Sequence, residues 1–147
     1  MQVLVVEDEA LIRMLVCDLL EEAGYACVEA ADGTEALALL DRGLCRPDIM
    51  VTDFNLGAGL NGQDLAREAV RRLPGLVVAF VTGNPEAFDD HPLRSWERLV
   101  AKPFAGADLV AAVRGLRQPH HHGQLAATPT CLGHIAEHGA GNRVELV

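Results

Sequence analysis

Chemically versatile side chains follow four short apolar runs of this 147-residue sequence. Glu7 and Asp8 follow VLVV, Asp53 follows IMVT, Thr82 follows VVAFV, and Lys102 follows LVA. A carboxylate nucleophile needs such acids, a hydroxyl and an amine to accept a phosphoryl group, because that reaction depends on positioning and on stabilising spread negative charge. The residue types therefore predict phosphoryl transfer to an aspartate.

A magnesium ion belongs to this predicted chemistry. Mg²⁺ prefers oxygen ligands and keeps several of its waters, so one or two carboxylates and the phosphate oxygens suffice to bind it. Glu7, Asp8 and Asp53 supply that negative charge, while Thr82 and Lys102 can each hold one phosphoryl oxygen. Lys102 is the only lysine in the sequence. A compact ammonium fits as a point charge where a guanidinium fork is too bulky.

Each of these residues also has an ordinary structural explanation when it is taken alone. Asp8 can cap a helix, Thr82 is a good strand former, and Lys102-Pro103 can be a simple loop. Four such positions, in order at the ends of four apolar runs, favour a joint function.

The apolar runs alternate with stretches of helical periodicity, and this alternation predicts a parallel α/β sheet with right-handed crossovers. Ligands of such sheets bind outside the carboxyl ends of the strands, so the polar residues should meet at one edge. The predicted strands are Gln2–Val6, Tyr25–Glu29, Asp48–Thr52, Leu76–Val81 and Arg98–Ala101. The predicted helices are one from Leu11 that Gly24 closes, Gly33–Leu44, Gln63–Leu73, and one from about Ala105 to Leu116.

Composition limits the class of protein. The length suits one ordinary domain. The formal net charge of -9 argues against direct nucleic-acid binding, which draws on clustered Lys and Arg. No apolar run approaches the roughly 20 residues of a membrane span, and no basic segment precedes an apolar one at the N-terminus. We therefore expect a cytoplasmic protein without a membrane segment.

The regular pattern ends near residue 117, so we predict a domain over 1–117 and a flexible C-terminal tail with histidines and glycines over 118–147. Cys131, His134 and His138 could bind a transition metal, but their glycine-rich surroundings provide no rigid frame. Cys17, Cys27 and Cys45 lie in segments that read as buried and are expected to be reduced packing residues.

These residues together resemble the receiver domain of two-component response regulators. The matching segments are VLVVEDE, DIMVTDFNL, GQDLA beginning at Gly62, VTG and AKPF. The resemblance covers essentially all of Met1–Arg117. It implies a flavodoxin-like, doubly wound sheet of five parallel strands in the order 2-1-3-4-5, with helices on both faces.

The resemblance also implies a role for each site residue. Asp53 would be phosphorylated by a sensor histidine kinase or a phosphotransfer protein, and Thr82 and Lys102 would contact the phosphoryl oxygens. The Lys102–Pro103 peptide is expected to be cis. The implied Mg²⁺ ligands are Asp8, Asp53, the Asn55 carbonyl and, mainly through water, Glu7.

Two departures from the family pattern concern its conformational switch. Receivers usually carry an aromatic residue three positions before the lysine, where this sequence has Leu99, and the loop after Asp53 is one residue longer than the common form. Between the fourth and fifth strands, Pro85 and Pro92 leave room for at most two helical turns. We expect segment 84–96 to be easily displaced until phosphorylation orders it, with Phe88 or Trp96 as the moving anchor.

Two other functions fit parts of the pattern. A phosphohydrolase of the haloacid dehalogenase type also uses an aspartate nucleophile, but it places Asp-x-Asp after its first strand, whereas Asp53 follows the third and is followed by Asn55. A receiver-like docking module that no longer exchanges phosphate is the second. We expect no enzyme activity beyond the protein's own phosphorylation and dephosphorylation, an unknown downstream protein target, and a homodimer as one possible assembly. A stand-alone regulator is favoured, although a receiver from a hybrid kinase would look the same.

Overall fold

The structure is a computed structural model that describes residues 1–57, 59–88 and 92–116. Its strands are β1 Gln2–Val6, β2 Ala26–Ala30, β3 Ile49–Asp53, β4 Val77–Thr82 and β5 Glu97–Ala101. Its α-helices are α1 Ala10–Glu22, α2 Gly33–Asp41, α3 Gly62–Arg72 and α4 Gly106–Gly115. None of the described helices is long and apolar enough to cross a membrane.

The strands form one parallel sheet in the order β2-β1-β3-β4-β5, so the predicted flavodoxin-like order is confirmed. Val6 is level with Thr52, Asp53 with Val81, and Thr82 with Ala101. This register brings the carboxyl ends of four strands to one edge of the sheet. The polar residues that follow the apolar runs therefore meet there.

Helices cover both faces of the sheet, as predicted. On one face, α1 and α4 pack against the strand residues that include Val3, Val5 and Val51. On the other face, α2 and α3 pack against a set that includes Leu4 and Met50. The inner strands are covered on both faces, so the side chains on both faces are apolar. This is why the sequence shows continuous apolar runs and not an alternation of apolar and polar residues.

The structure shifts several predicted boundaries, most of them by one residue. Helix α2 ends at Asp41 rather than at Leu44, because Gly43 adopts a left-handed φ of +67° and the amides of Gly43 and Leu44 bond back to Leu40 and Leu39. This pattern is the usual glycine-terminated helix end. Asp53 and Thr82 were predicted to follow their strands, whereas each forms the last residue of its strand.

Between β4 and β5 the described residues contain a single 3₁₀ turn, Pro85–Phe88. This observation agrees with the prediction that Pro85 and Pro92 leave room for little helix. A 3₁₀ turn has poorer hydrogen-bond geometry than an α-helix and is used in short pieces. The segment thus depends on its side-chain packing for its position.

The three described cysteines are free thiols, and Cys17 and Cys45 are buried. Burial raises the pKa of the Cys17 thiol to about 12 and that of Cys27 to about 11, so both stay protonated and unreactive at neutral pH. The predictions for Cys131, His134 and His138 and for the tail lie outside the described residues.

Candidate functional site

Three acidic side chains meet at the carboxyl ends of β1 and β3. Glu7 follows β1 directly, Asp8 is next, and Asp53 ends β3. One carboxylate oxygen from each lies within 4.8 Å of the other two. Glu7 is buried with 4% of its surface exposed, whereas Asp8 is exposed. Oxygen ligands at this spacing, open to solvent on one side, fit a hard divalent cation such as Mg²⁺.

Lys102 bridges two of these acids. Its Nζ lies 3.0 Å from Asp53 Oδ2 and 3.2 Å from Glu7 Oε1. Because β4 separates β3 from β5, these two strands lie roughly 10 Å apart, and the Lys102 side chain, its hydrogen bond and the Asp53 side chain together bridge that distance. Its backbone is held by a 2.7 Å hydrogen bond from the Lys102 amide to the Thr82 carbonyl, and the Lys102–Pro103 peptide is cis. Only a long, flexible cationic side chain can make this connection.

Burial dominates the ionisation of Glu7. Burial raises the pKa of Glu7 from 4.5 to about 7, and the contact with Asp8 and the charge of Asp53 also raise it. The charge of Lys102 lowers that pKa but does not outweigh burial. Burial also lowers the pKa of Lys102, but the hydrogen bonds and charges of Asp53 and Glu7 raise it overall. The site therefore keeps its lysine charged while one of its acids holds a proton near neutrality.

Thr82 and Asn55 flank the acidic cluster. Thr82 is fully buried at the end of β4, the strand between those of Asp53 and Lys102, and its Oγ1 accepts a 3.0 Å hydrogen bond from the Asn84 amide. A hydroxyl that accepts through its oxygen still has a hydrogen to donate. The backbone N–H of Asn55 donates a 3.1 Å hydrogen bond to Asp53 Oδ1. The role of the Asn55 carbonyl as a metal ligand stays a prediction.

The three predicted switch residues lie in one region of the core. Phe88 and Leu99 are each buried with 6% of their surface exposed, and Trp96 is half-buried beneath the Arg94 guanidinium, which lies 5.4 Å from its ring. The Phe88 ring lies 5.2 Å from that of Phe80. The movement of Phe88 or Trp96 on phosphorylation stays a prediction.

Phe54 is a residue of this region that the sequence argument missed. Its ring lies 4.8 Å from that of Phe88 in an edge-to-face arrangement. Phe54 directly follows Asp53 in the chain, so it links the acidic cluster to the 3₁₀ turn. An aromatic residue next to a reactive acid was the available signal.

Gly62, the first residue of the GQDLA segment, is a second residue whose role the sequence did not predict. Its amide donates a 2.7 Å hydrogen bond to the Phe54 carbonyl. A Cβ at this position would overlap the Asp53 carbonyl oxygen and would lie 2.9 Å from the Phe54 Cα. Glycine is therefore required where α3 begins, because any side chain would push that helix away from the backbone of Asp53.

An open, largely apolar cavity lies next to the site. Its volume is about 380 Å³, and it is lined by Ile12, Leu15, Lys102, Pro103 and Phe104. On helix α1, which carries Ile12, the side chains of three apolar residues expose between 51% and 81% of their surface: Leu11, Met14 and Leu15. Exposed apolar residues that adjoin a reactive site commonly mark a surface for protein contacts.

Comparison with known proteins supports this reading of the site. The chain is 35% identical over 114 residues to the transcriptional regulatory protein PdtaR of Mycobacterium tuberculosis, covering 76% of this chain and 54% of that protein. It is 31% identical over 119 residues to the phosphate regulon transcriptional regulatory protein PhoB of Pseudomonas aeruginosa, covering 78% of this chain and 50% of that protein. The chain thus spans about half the length of these curated relatives.

Solved structures give the same picture. The receiver domain from the hybrid histidine kinase CckA matches with a TM-score of 0.65 and 28% identity, over 78% of this chain and 96% of that one. The response regulator TrrA of Thermotoga maritima, solved in complex with Mg²⁺ and BeF, matches with a TM-score of 0.65 and 29% identity, over 77% and 96%.

The family model itself also matches. The profile of the response regulator receiver domain covers residues 3–114, which include every acid of the cluster, Thr82 and Lys102. The sheet order, the acidic cluster and this match agree with one another. The chain belongs to the response regulator receiver domain family.

Proposed function

We propose that this chain is the phosphoacceptor of a cytoplasmic two-component signalling pathway. In a Mg²⁺-dependent reaction, Asp53 takes a phosphoryl group from a sensor histidine kinase or a phosphotransfer protein. The phosphorylated form then changes its contacts with a downstream protein. The observation that carries this proposal is the arrangement of Asp53 within a cluster of three acids, with Lys102 Nζ at 3.0 Å from its carboxylate.

Each side chain has a part in the proposed transfer. Asp53 forms an O–P bond as the N–P bond of a phosphohistidine breaks, and the electron pair of that bond stays on the leaving imidazole. When bound, Mg²⁺ supplies positive charge to the transferring oxygens. Asp8, Asp53 and the Asn55 carbonyl would hold the ion, and Glu7 would reach it mainly through water. Lys102 and Thr82 donate hydrogen bonds to two phosphoryl oxygens.

The surroundings of the site support a protein as the phosphoryl donor. The apolar cavity beside Lys102 and the exposed Leu11, Met14 and Leu15 on α1 offer a contact area next to Asp53. The net charge of -9 disfavours a direct nucleic-acid partner. We further propose that the receiver spans residues 1–117 and that residues 118–147 form a separate extension.

Phosphorylation by a small-molecule donor tests the proposal directly. Acetyl phosphate with Mg²⁺ should add one phosphoryl group, seen as a mass increase of the intact protein, and chelation of the metal or Asp53→Asn should prevent it. Asp48→Asn, which changes an acid at the opposite end of β3, is the matched control and should be labelled normally. Equal labelling of Asp53→Asn would refute the site. Absence of labelling in the unchanged protein would instead favour a docking module.

A further inference from the structure

The loop that carries Glu7 and Asp8 lacks the usual brace of a helix start. Helix α1 begins after Glu9, whose side chain makes no capping hydrogen bond, and its first turn contains no acidic residue. Helices α2 and α3, in contrast, are capped by Asp32 and Asn61. Uncapped helix starts leave backbone groups that other side chains or water must satisfy. In this loop the Glu9 amide donates a 3.2 Å hydrogen bond to Glu7 Oε2.

Arg13, in the first turn of α1, supplies a further contact that holds this loop. Its Nη1 donates a 2.7 Å hydrogen bond to the backbone carbonyl of Glu7, and its Nε lies 3.0 Å from Glu29 Oε1 on β2. The Arg13 side chain is only 19% exposed. The Glu7 amide in turn donates to the Ala30 carbonyl over 3.1 Å. The start of the acidic loop is therefore tied to β2 at two points.

The carbonyl that Arg13 holds belongs to the peptide between Glu7 and Asp8. Because a peptide unit is planar, fixing its oxygen fixes the direction in which both neighbouring residues leave it. The direction in which both carboxylates approach Asp53 thus depends in part on this hydrogen bond, beside the contact of Lys102 Nζ with Glu7 Oε1. A guanidinium presents several N–H groups in one rigid plane and can hold the carbonyl and Glu29 together, whereas a lysine offers a single nitrogen.

We propose, on the basis of the proposed function, that Arg13 is a positioning residue for Mg²⁺ binding. It holds the Glu7–Asp8 peptide against β2 so that the two carboxylates converge with that of Asp53. Arg13 acts through Glu7 and Asp8 and does not itself contact the ion or the phosphoryl group. Its ion pair with Glu29 is half-exposed, and such pairs contribute little to folding. Losing Arg13 should therefore lower stability mainly through its hydrogen bond to the Glu7 carbonyl, and should weaken Mg²⁺ binding in the protein that stays folded.

Calorimetric titration with Mg²⁺ alone tests this proposal. Arg13→Met should weaken Mg²⁺ binding by about 10-fold, the lower end for groups that orient metal ligands. Arg13→Lys, which keeps one donor, should restore part of the affinity. The matched control is Arg71→Met, which removes an exposed arginine whose partner within the described residues is Glu68. Circular dichroism should show that both variants are fully folded at the temperature of the titration.

The rate of phosphorylation by acetyl phosphate gives a second readout. In Arg13→Met the Mg²⁺ concentration that gives the half-maximal rate should rise by the same factor as the Mg²⁺ dissociation constant. The rate at saturating Mg²⁺ should stay within about 2-fold of that of the unchanged protein. Equal Mg²⁺ affinity in Arg13→Met and Arg71→Met would overturn the proposal. If Arg13→Met does not fold, unchanged affinity in Arg13→Lys would overturn it equally. Failure of the unchanged protein to bind Mg²⁺ would instead refute the proposed function.

Discussion

At the scale of single residues, the ionisation of Glu7 distinguishes this site from an ordinary ion pair. A carboxylate beside a lysine usually has a lowered pKa, but Glu7 is so deeply buried that its pKa rises to about 7. A raised pKa in the folded state means that the protonated acid favours folding. The contribution of Glu7 to stability is therefore complete below pH 4.5, its unfolded value, and is lost as the pH rises through 7.

Replacing Glu7 by its neutral isostere should remove this pH dependence. Without metal, Glu7→Gln should be more stable than the unchanged protein at pH 8 by roughly 2–3 kcal/mol, since each pKa unit corresponds to about 1.4 kcal/mol. At pH 4.5 or below the two should be nearly equal. Urea unfolding in chelator at both pH values measures the difference, with the exposed Glu9→Gln as control. A difference that does not depend on pH would contradict the assignment.

At the scale of elements, the contact between α3 and β3 positions Asp53, the proposed phosphoacceptor. Gly62 lets the start of α3 lie against the backbone of Asp53 and Phe54, where no Cβ fits. Gly62→Ala should destabilise the protein by about 1–3 kcal/mol, as overpacked sites do, because the atoms in the way are backbone atoms that cannot rotate aside. Gly83→Ala is the control, since nothing lies within 4 Å of a Cβ built there. Equal unfolding midpoints of Gly62→Ala and Gly83→Ala would show that the start of α3 can shift to make room for a Cβ.

The 3₁₀ turn after β4 is the element that should respond to phosphorylation. Phe88 anchors this turn between Phe54 and Phe80. Since the Thr82 hydroxyl already binds the Asn84 amide, drawing Thr82 to a phosphoryl oxygen should change the start of the turn. We expect amide hydrogen exchange across 84–96 to slow when a beryllofluoride mimic binds. Strong protection in both states, or no change between them, would disprove this expectation.

The sequence was informative where one residue type repeats with a clear period. Apolar runs ending in polar residues predicted a parallel sheet and the meeting of Asp53 with Glu7 and Lys102, while the strand order followed from the resemblance to receiver domains. Contacts between distant backbone and side-chain atoms could not be predicted in this way. The fit of Gly62 against Asp53 and the reach of Arg13 to the Glu7 carbonyl depend on a register that no periodicity encodes.

At the scale of the whole molecule, the order of the strands decides which residues can share a site. Lys102 lies 49 positions from Asp53 and 95 from Glu7 along the chain, yet one side chain contacts both. The parallel sheet makes this possible because β1, β3, β4 and β5 all end at the same edge. A change in the fold that moved β5 relative to β3 would therefore separate the lysine from the acids.

Because Lys102 is the only lysine, the protein carries one side-chain amine, and that amine sits in its reactive site. Amine-reactive reagents should thus footprint the site in an otherwise unmodified protein, with the Met1 amine as an internal reference. Acylation requires the uncharged amine, and Asp53 and Glu7 raise the Lys102 pKa. Labelling at Lys102, followed by mass spectrometry, should be slow in the unchanged protein without Mg²⁺. It should be faster in Asp53→Asn or with Mg²⁺, because the carboxylates then hold the amine less tightly. A labelling rate that ignored both changes would mean that the lysine is not held by these acids in solution.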